Sequence, residues 1–263
     1  MSTIPLRLRH DQGMRPDERN TADDGVIARA SAILDAVAKG ASGVRAVARA
    51  TDLPVSSVHR LVAQVVEVQV LERLDDRIRL GPKLFDLGTQ VPAHRDLRDA
   101  ADPVMEDLRA ATHHRVHLAM LDGVDVVYLK ILGPNLGLDS RLGGRLPAHA
   151  TGVGKVMLAY SPMATVRARV EAGLPRFTPR TITTPGHLTQ ELRKIRSVGM
   201  ALDLEESTVG VSCVAAPVFG SDRKIRAGLS VTGPTRSIDP AHLGIAVRTA
   251  AFTLSRTLRD SGL

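Results

Sequence analysis

Residues 33–80 read ILDAVAKGASGVRAVARATDLPVSSVHRLVAQVVEVQVLERLDDRIRL, and this stretch decides the architecture of the N-terminal part. Val26, Ile27, Ala30, Ile33, Leu34 and Val37 recur at helical spacing, and Lys39-Gly40 supplies a stop signal. A short helix is predicted over residues 45–50, with Val44, Val47 and Ala48 turned inward. Thr51-Asp52-Leu53-Pro54 then makes a tight connection. Pro54 suits the first turn of a third helix, where its missing N–H has no intrahelical partner. That helix reaches about residue 66 and buries Val58, Leu61, Val62 and Val65. Two strand-like runs, residues 70–74 and 77–80, flank Asp75-Asp76. Three helices followed by a hairpin outline a winged helix-turn-helix, although a generic three-helix domain with an incidental hairpin fits the same pattern.

The third helix tells more than the outline does. At about 100° per residue its buried stripe leaves Ser56, Arg60 and Ala63 on the opposite face, with His59 and Gln64 at the flanks. Arg60 can pair bidentately with guanine O6 and N7, and Ala63 can pack on a thymine methyl. Ser56 and Ser57 stand in the first turn, where hydroxyls and free backbone N–H groups hold phosphate. Arg45 opens the preceding helix, and Arg73, Arg77 and Arg79 sit on the hairpin, within reach of an adjacent backbone or minor groove. Solvated surface is the alternative for any one of these residues. The face as a whole is more specific, because it carries no apolar bulk and no acid before Glu67.

Working outward, residues 1–24 are polar, charged and aperiodic and are expected to form a disordered tail. The winged helix-turn-helix is expected over residues 25–81, a helical linker interrupted near Pro92 over 82–99, and a second domain over 100–263. In that domain, residues 116–121 and 124–129 flank Asp122-Gly123, a two-residue hairpin signal. Helices are expected after Thr151 and over 163–172 and 189–198, and strands over 213–219 and 225–231. Asp239 and Pro240 open a last helix whose stripe is Leu243, Val247, Ala250, Leu254 and Leu258. Hairpins mixed with helices give an α+β fold with a largely antiparallel sheet.

Composition narrows the classes. The formal charge is +7, but residues 1–100 hold 15 cations and 14 anions, so net charge does not locate a DNA-binding surface. The absence of Trp, with two Tyr and four Phe, argues against the stacking platforms of single-strand binders. One cysteine, Cys213, excludes a disulfide framework and any Cys-Cys zinc site. No apolar run approaches a membrane span, and the first residues lack the apolar region of a secretory signal, so a cytoplasmic location is expected.

These residues carry a resemblance to the IclR family of bacterial transcriptional regulators. The stretch quoted above, extended through GPKLFDLG at residues 81–88, resembles that family's winged helix-turn-helix and linker. VHLAMLDGVDVVYL (116–129), RLPAHATGVGKVMLA (145–159), FTPRTITT (177–184) and VGVSCVAAPVF (209–219) resemble its effector-binding domain in the right order. Gln69 stands where the family usually has glycine, and the wing is one residue short. The resemblance implies a GAF-like α/β effector-binding domain, a small organic effector, a double-stranded DNA operator, a homodimer or tetramer, and no cofactor. It implies ligand-facing positions at Leu138, Gly152, Val153, Asp203, Val211, Cys213, Ser230 and Thr232. Several suit that role chemically. The turn Thr151-Gly152-Val153-Gly154 opens a helix whose unpaired N–H groups can receive a carboxylate. Asp203 can accept from a ligand hydroxyl, and Ser230 and Thr232 alternate along a strand and share a face.

Other chemistry fails on its residues. His149–Lys155 lacks the first glycine and the following Ser or Thr of a phosphate-binding loop, and Met157 breaks the dinucleotide pattern. His113-His114 lacks metal-ligand spacing. Cys213 lies in an apolar strand, and Glu205-Glu206 has no identifiable electrophile site beside it. The alternative kept open is a small-molecule enzyme or sensor whose N-terminal helices only dimerise.

Overall fold

The computed structural model describes residues 25–134 and 140–263. The tail expected over residues 1–24 and the predicted pocket residue Leu138 lie outside them. The chain divides between Gln90 and Val91 into two compact units.

The first unit runs α1 (Val26–Ala38), α2 (Val44–Thr51), α3 (Val55–Glu67), β1 (Leu71–Leu74), β2 (Arg77–Leu80) and α4 (Pro82–Thr89). Its core is Ile33, Val37, Val47, Leu53, Val58, Leu61, Val62, Leu71 and Ile78. α2 and α3 contribute the stripes that their periodicity predicts, with Val65 only half-buried at the margin of this core. α1 contributes only the later part of its stripe, since Val26 and Ile27 are exposed. Asp52 takes a left-handed conformation (φ 54°) that ends α2. Pro54 caps α3 from outside rather than occupying its first turn, and its carbonyl accepts from Val58 N–H at 3.0 Å. β2 is tied inward by Ile78 N–H donating to Ser42 O at 2.7 Å.

The second unit runs α5 (Pro92–Thr112), β3 (Arg115–Asp122), β4 (Asp125–Leu132), β5 (Arg145–Pro147), α6 (Gly152–Tyr160), α7 (Met163–Glu171), α8 (Pro185–Val198), β6 (Ala201–Leu204), β7 (Val211–Phe219), β8 (Ile225–Pro234) and α9 (Pro240–Asp260). Its six strands lie in the order β5-β4-β3-β8-β7-β6. Every neighbouring pair is antiparallel. Strand side chains alternate between two faces. On one face Val116, Leu118, Val214, Ala216, Leu229 and Val231 meet Met105 and Leu108 of α5 and Leu243, Val247, Leu254 and Leu258 of α9. On the other, Ala119, Val126, Tyr128 and Ala215 meet Val156 and Met157 of α6 and Leu188 and Ile195 of α8.

Several boundaries move. Asp122 pairs with Asp125, so the turn between β3 and β4 is centred on Gly123-Val124, with Gly123 at φ +63°, rather than on Asp122-Gly123. That choice puts the single left-handed residue first, the pattern of a II′ hairpin. β6 was not predicted, because four residues give too short an alternation to register. Pro185 starts α8 four residues before the expected 189. α9 is capped by Asp239 as expected, its Oδ1 accepting from Ala241 N–H at 2.9 Å. Ala251, not Ala250, fills the buried stripe of that helix. The linker expected over 82–99 comprises α4 and the first turns of α5, which continues to Thr112.

Candidate functional site

Two surfaces answer to the sequence reading. On the first unit, Ser56, His59, Arg60 and Ala63 are exposed along α3 and Ser57 is half-buried in its first turn. Arg45 is exposed at the start of α2. None of Arg45, Arg60, Arg73, Arg77 and Arg79 forms an ion pair among the described residues. These cations therefore keep their full charge for a polyanion. The hairpin does not bring its three arginines together. Its register pairs Arg73 with Ile78 and Leu74 with Arg77. By alternation Arg77 and Arg79 share one face, and Arg73 shares the other with buried Leu71 and Ile78. The tip is Asp75-Asp76, whose carboxylates repel phosphate, so cationic contact is left to Arg77 and Arg79 on the strand behind it.

In the second unit, Gly152, Val153, Asp203, Val211, Cys213, Ser230 and Thr232 line one cavity between the sheet and α6. The fold places them there by alternation: Asp203 pairs with Cys213, and Cys213 with Thr232, across adjacent strands. Gly152 is obligatory, because a Cβ there would overlap Cys213 Sγ. The α6 N-terminus is less open than expected. Gly152 N–H is directed at the Cys213 sulfur, and Gly154 N–H donates to Thr151 Oγ1 at 3.1 Å. Asp203 is also engaged, accepting from Glu206 N–H at 2.7 Å and from the Ser207 hydroxyl at 2.8 Å.

His117, Tyr128, Ser140, Phe177, Ser207 and Thr208 also line it, and sequence reasoning missed them. His117 faces Ser230 across the β3–β8 pairing, a juxtaposition that only the fold reveals. Arg115 Nε–H donates to His117 Nε2 at 3.1 Å, and Ser140 Oγ lies 3.1 Å from the same nitrogen. Nε2 is therefore an acceptor, and the ring proton sits on Nδ1, 3.2 Å from Thr232 Oγ1. Burial, reinforced by the Arg115 cation, holds the His117 pKa down at about 3, so the imidazole is neutral. Burial pushes the Cys213 thiol up to about 12, with Asp203 adding to it, and this thiol is no nucleophile. Burial also raises Asp203 and Glu206, against the pull of Lys155. Lys155 itself is fully buried, bonded to Glu206 and 3.6 Å from Glu191. Over the mouth, Thr178 and Thr181 hydroxyls donate to the carbonyls of Glu205 and Glu206 at 2.6 and 2.7 Å. The 177–181 loop that carries Phe177 is thereby fastened to the loop that carries Ser207. Among the described residues no group of His, Cys, Asp and Glu is placed to hold a metal ion.

A cavity of this kind, in a chain whose other unit leaves a helix-turn-helix face to solvent, is the property of regulators that sense a small molecule and hold DNA. Residues 26–75 match the IclR helix-turn-helix domain and residues 89–256 match the bacterial transcriptional regulator IclR C-terminal domain, and the chain belongs to the IclR family. It is 37% identical over 188 residues to the HTH-type transcriptional regulator XynR of Escherichia coli, covering 69% of this chain and 75% of that one. It is 33% identical to the regulator BhcR of Paracoccus denitrificans, covering 88% of this chain and 84% of that one. Among solved structures, it is similar to an IclR homologue from Microbacterium hydrocarbonoxydans complexed with 4-hydroxybenzoate, with TM-score 0.81 and 27% identity over 90% of this chain and 100% of that one. The protein is thus a ligand-responsive DNA-binding transcriptional regulator and not an enzyme, since its relatives are regulators. The enzyme alternative is set aside.

Proposed function

We propose that α3 enters the major groove of a double-stranded operator and that a small organic acid in the second-unit cavity alters that binding. The observation that carries the reading is the outer face of α3, where Ser56, His59, Arg60 and Ala63 are exposed and no acid precedes Glu67. Ser57 and Arg45 contribute phosphate contacts at helix starts, and Arg77 and Arg79 contribute them from the wing. Arg73, on the far face of the hairpin, contributes least. The effector occupies the cavity bounded by Gly152, Val153, Asp203, Val211, Cys213, Ser230 and Thr232. The acidic character of the effector is supported by the hydroxybenzoate complex of the Microbacterium homologue.

The functional form is a homodimer or a tetramer, acting in the cytoplasm. Ile27 and Phe85 support self-association of the first unit, because they are 86% and 75% exposed. Domain limits at 25–81, 82–99 and 100–263 serve this division of labour, with residues 1–24 as a tail. The test is footprinting of the full chain on duplex from upstream of its own gene, at low and moderate salt, with and without a panel of organic acids. We expect protection of paired half-sites, a steep loss with salt as phosphate contacts displace counterions, and a shift with one of the acids. Equal affinity for every duplex, with or without acid, would defeat the proposal.

A further inference from the structure

α9 is apolar on two sides. Leu243, Val247, Leu254 and Leu258 form the side that packs on the sheet. Ile245 and Phe252 stand away from that side and are 62% and 63% exposed. Ile245, Phe252 and Arg259 are spaced by seven residues, two turns each, so they follow one line along the helix. A soluble helix ordinarily keeps a single apolar stripe, so a second one points to a neighbour.

A groove of about 470 Å³ runs between this line and β7. β7 contributes Ala216, Pro217 and Phe219 to its lining, and α9 contributes Ile245 and Phe252 with buried Ala251 and Ser255. The charged residues that line it are both cations, Arg248 and Arg259. They stand eleven residues apart on α9, about 16 Å of helical rise. Arg248 donates to Gly244 O at 3.3 Å and to Val198 O at 3.4 Å, and the Arg259 guanidinium lies 6.0 Å from the centre of the Phe252 ring. Neither forms an ion pair among the described residues, and nor does Arg256. α9 has one acid, Asp260, at its last position. The end of α8 that leads into Gly199 carries Arg193, Lys194 and Arg196, and no acid of that helix follows Glu191.

We propose that this groove docks an amphipathic helix of another protein, whose apolar side chains meet Ile245, Phe252 and Phe219 and whose carboxylates, about eleven residues apart, meet Arg248 and Arg259. The seven-residue line on α9 selects a helical occupant, since a helix laid alongside meets it with its own i, i+3, i+4 and i+7 positions. The unneutralised cations select its charge. A second copy of this chain lacks that complementarity, because like faces set Arg248, Arg256 and Arg259 against the same residues, with only Asp260 on each side to offset them. A nucleic acid would use the arginines and leave Ile245 and Phe252 without an apolar partner.

The test is a display selection of random peptides, each about 16 residues or four to five helical turns, on the full chain, with counter-selection on Phe252→Asp. Anisotropy titration of the recovered peptides and sedimentation of the proteins follow. We expect peptides with apolar residues at helical spacing, flanked by Asp or Glu. Phe252→Asp should weaken them about thirtyfold, the loss of an aromatic anchor. Arg259→Glu should weaken them about fivefold and favour versions with Lys in place of the matching acid. Both positions are exposed, so both variants should melt and sediment as the wild type does. Basic or uncharged peptides, or none that depends on Phe252, would overturn the proposal. A fall in sedimenting mass in Phe252→Asp would give the groove to a second copy, and weaker binding of scrambled duplex by Arg259→Glu would give it to nucleic acid. Either result would overturn the proposal as well.

Discussion

Arg60 stands on the solvent face of α3 without an ion pair, whereas Arg77 sits on the hairpin directly beside its acidic tip. In the proposed binding mode the first position meets base edges in a groove and the second meets the phosphate rail. Their replacements should therefore separate. Arg60→Ala should cost about 1–3 kcal/mol on the preferred duplex and relax preference at one base position. Arg77→Ala should weaken all duplexes evenly and reduce the salt slope by about one. Titrations of both variants on matched and scrambled duplexes check this. His117 supports a second prediction at this scale. Its pKa is depressed on folding, so its contribution is complete above about 6.5 and is lost as pH falls toward about 3. Asp203 and Glu206 are raised instead, and their contribution grows as pH falls. Comparing wild type with His117→Gln removes the carboxylates from the difference. Between about pH 7.5 and about pH 5.5 the wild type should lose about 1.4 kcal/mol more in urea unfolding than the variant does.

At the scale of elements, the join between α3 and β1 is strained. Gln69 adopts φ 61°, and the backbone of Gly81 lies so close that a Cβ on Gly81 would overlap Gln69 O. A left-handed non-glycine residue costs about 1 kcal/mol, and glycine's extra chain entropy returns about half of that. Gln69→Gly should therefore tighten the wing, slowing amide exchange over Leu71–Leu80 in the full chain about twofold. Gly81→Ala should loosen it. Faster exchange in Gln69→Gly would contradict this account of the turn. Helices such as α3 and α9 were legible because three-to-four-residue periodicity survives in their sequences. β6 and the offset of the β3–β4 turn were not, since a four-residue strand and a one-residue shift leave the apolar pattern nearly unchanged. The Asp239 cap was legible because a side-chain oxygen before Pro240 has a local and unambiguous use.

The whole molecule joins two tasks in one chain, and thermodynamic linkage constrains how they interact. If the effector changes operator affinity by some factor, the operator must change effector affinity by the same factor, commonly about 5- to 150-fold. Calorimetry on the free and DNA-bound protein checks this, and unequal factors would mean that a further equilibrium, such as assembly, takes part. The candidate sensing site was only partly legible for a reason of the same scale. Gly152, Asp203 and Cys213 came from motif likeness, whereas His117 and Tyr128 enter through pairing between strands distant in sequence, which no local spacing encodes. The family resemblance reached the rest of the fold because its motifs occur in order along most of the chain. One further consequence follows from the sulfur that Gly152 touches. The chain holds a single thiol, walled inside the proposed effector cavity and kept in its unreactive form by burial. A small alkylating reagent should accordingly label the native protein slowly, at one position, and more slowly still once the chamber is filled, so the polypeptide carries its own occupancy gauge without any engineered dye.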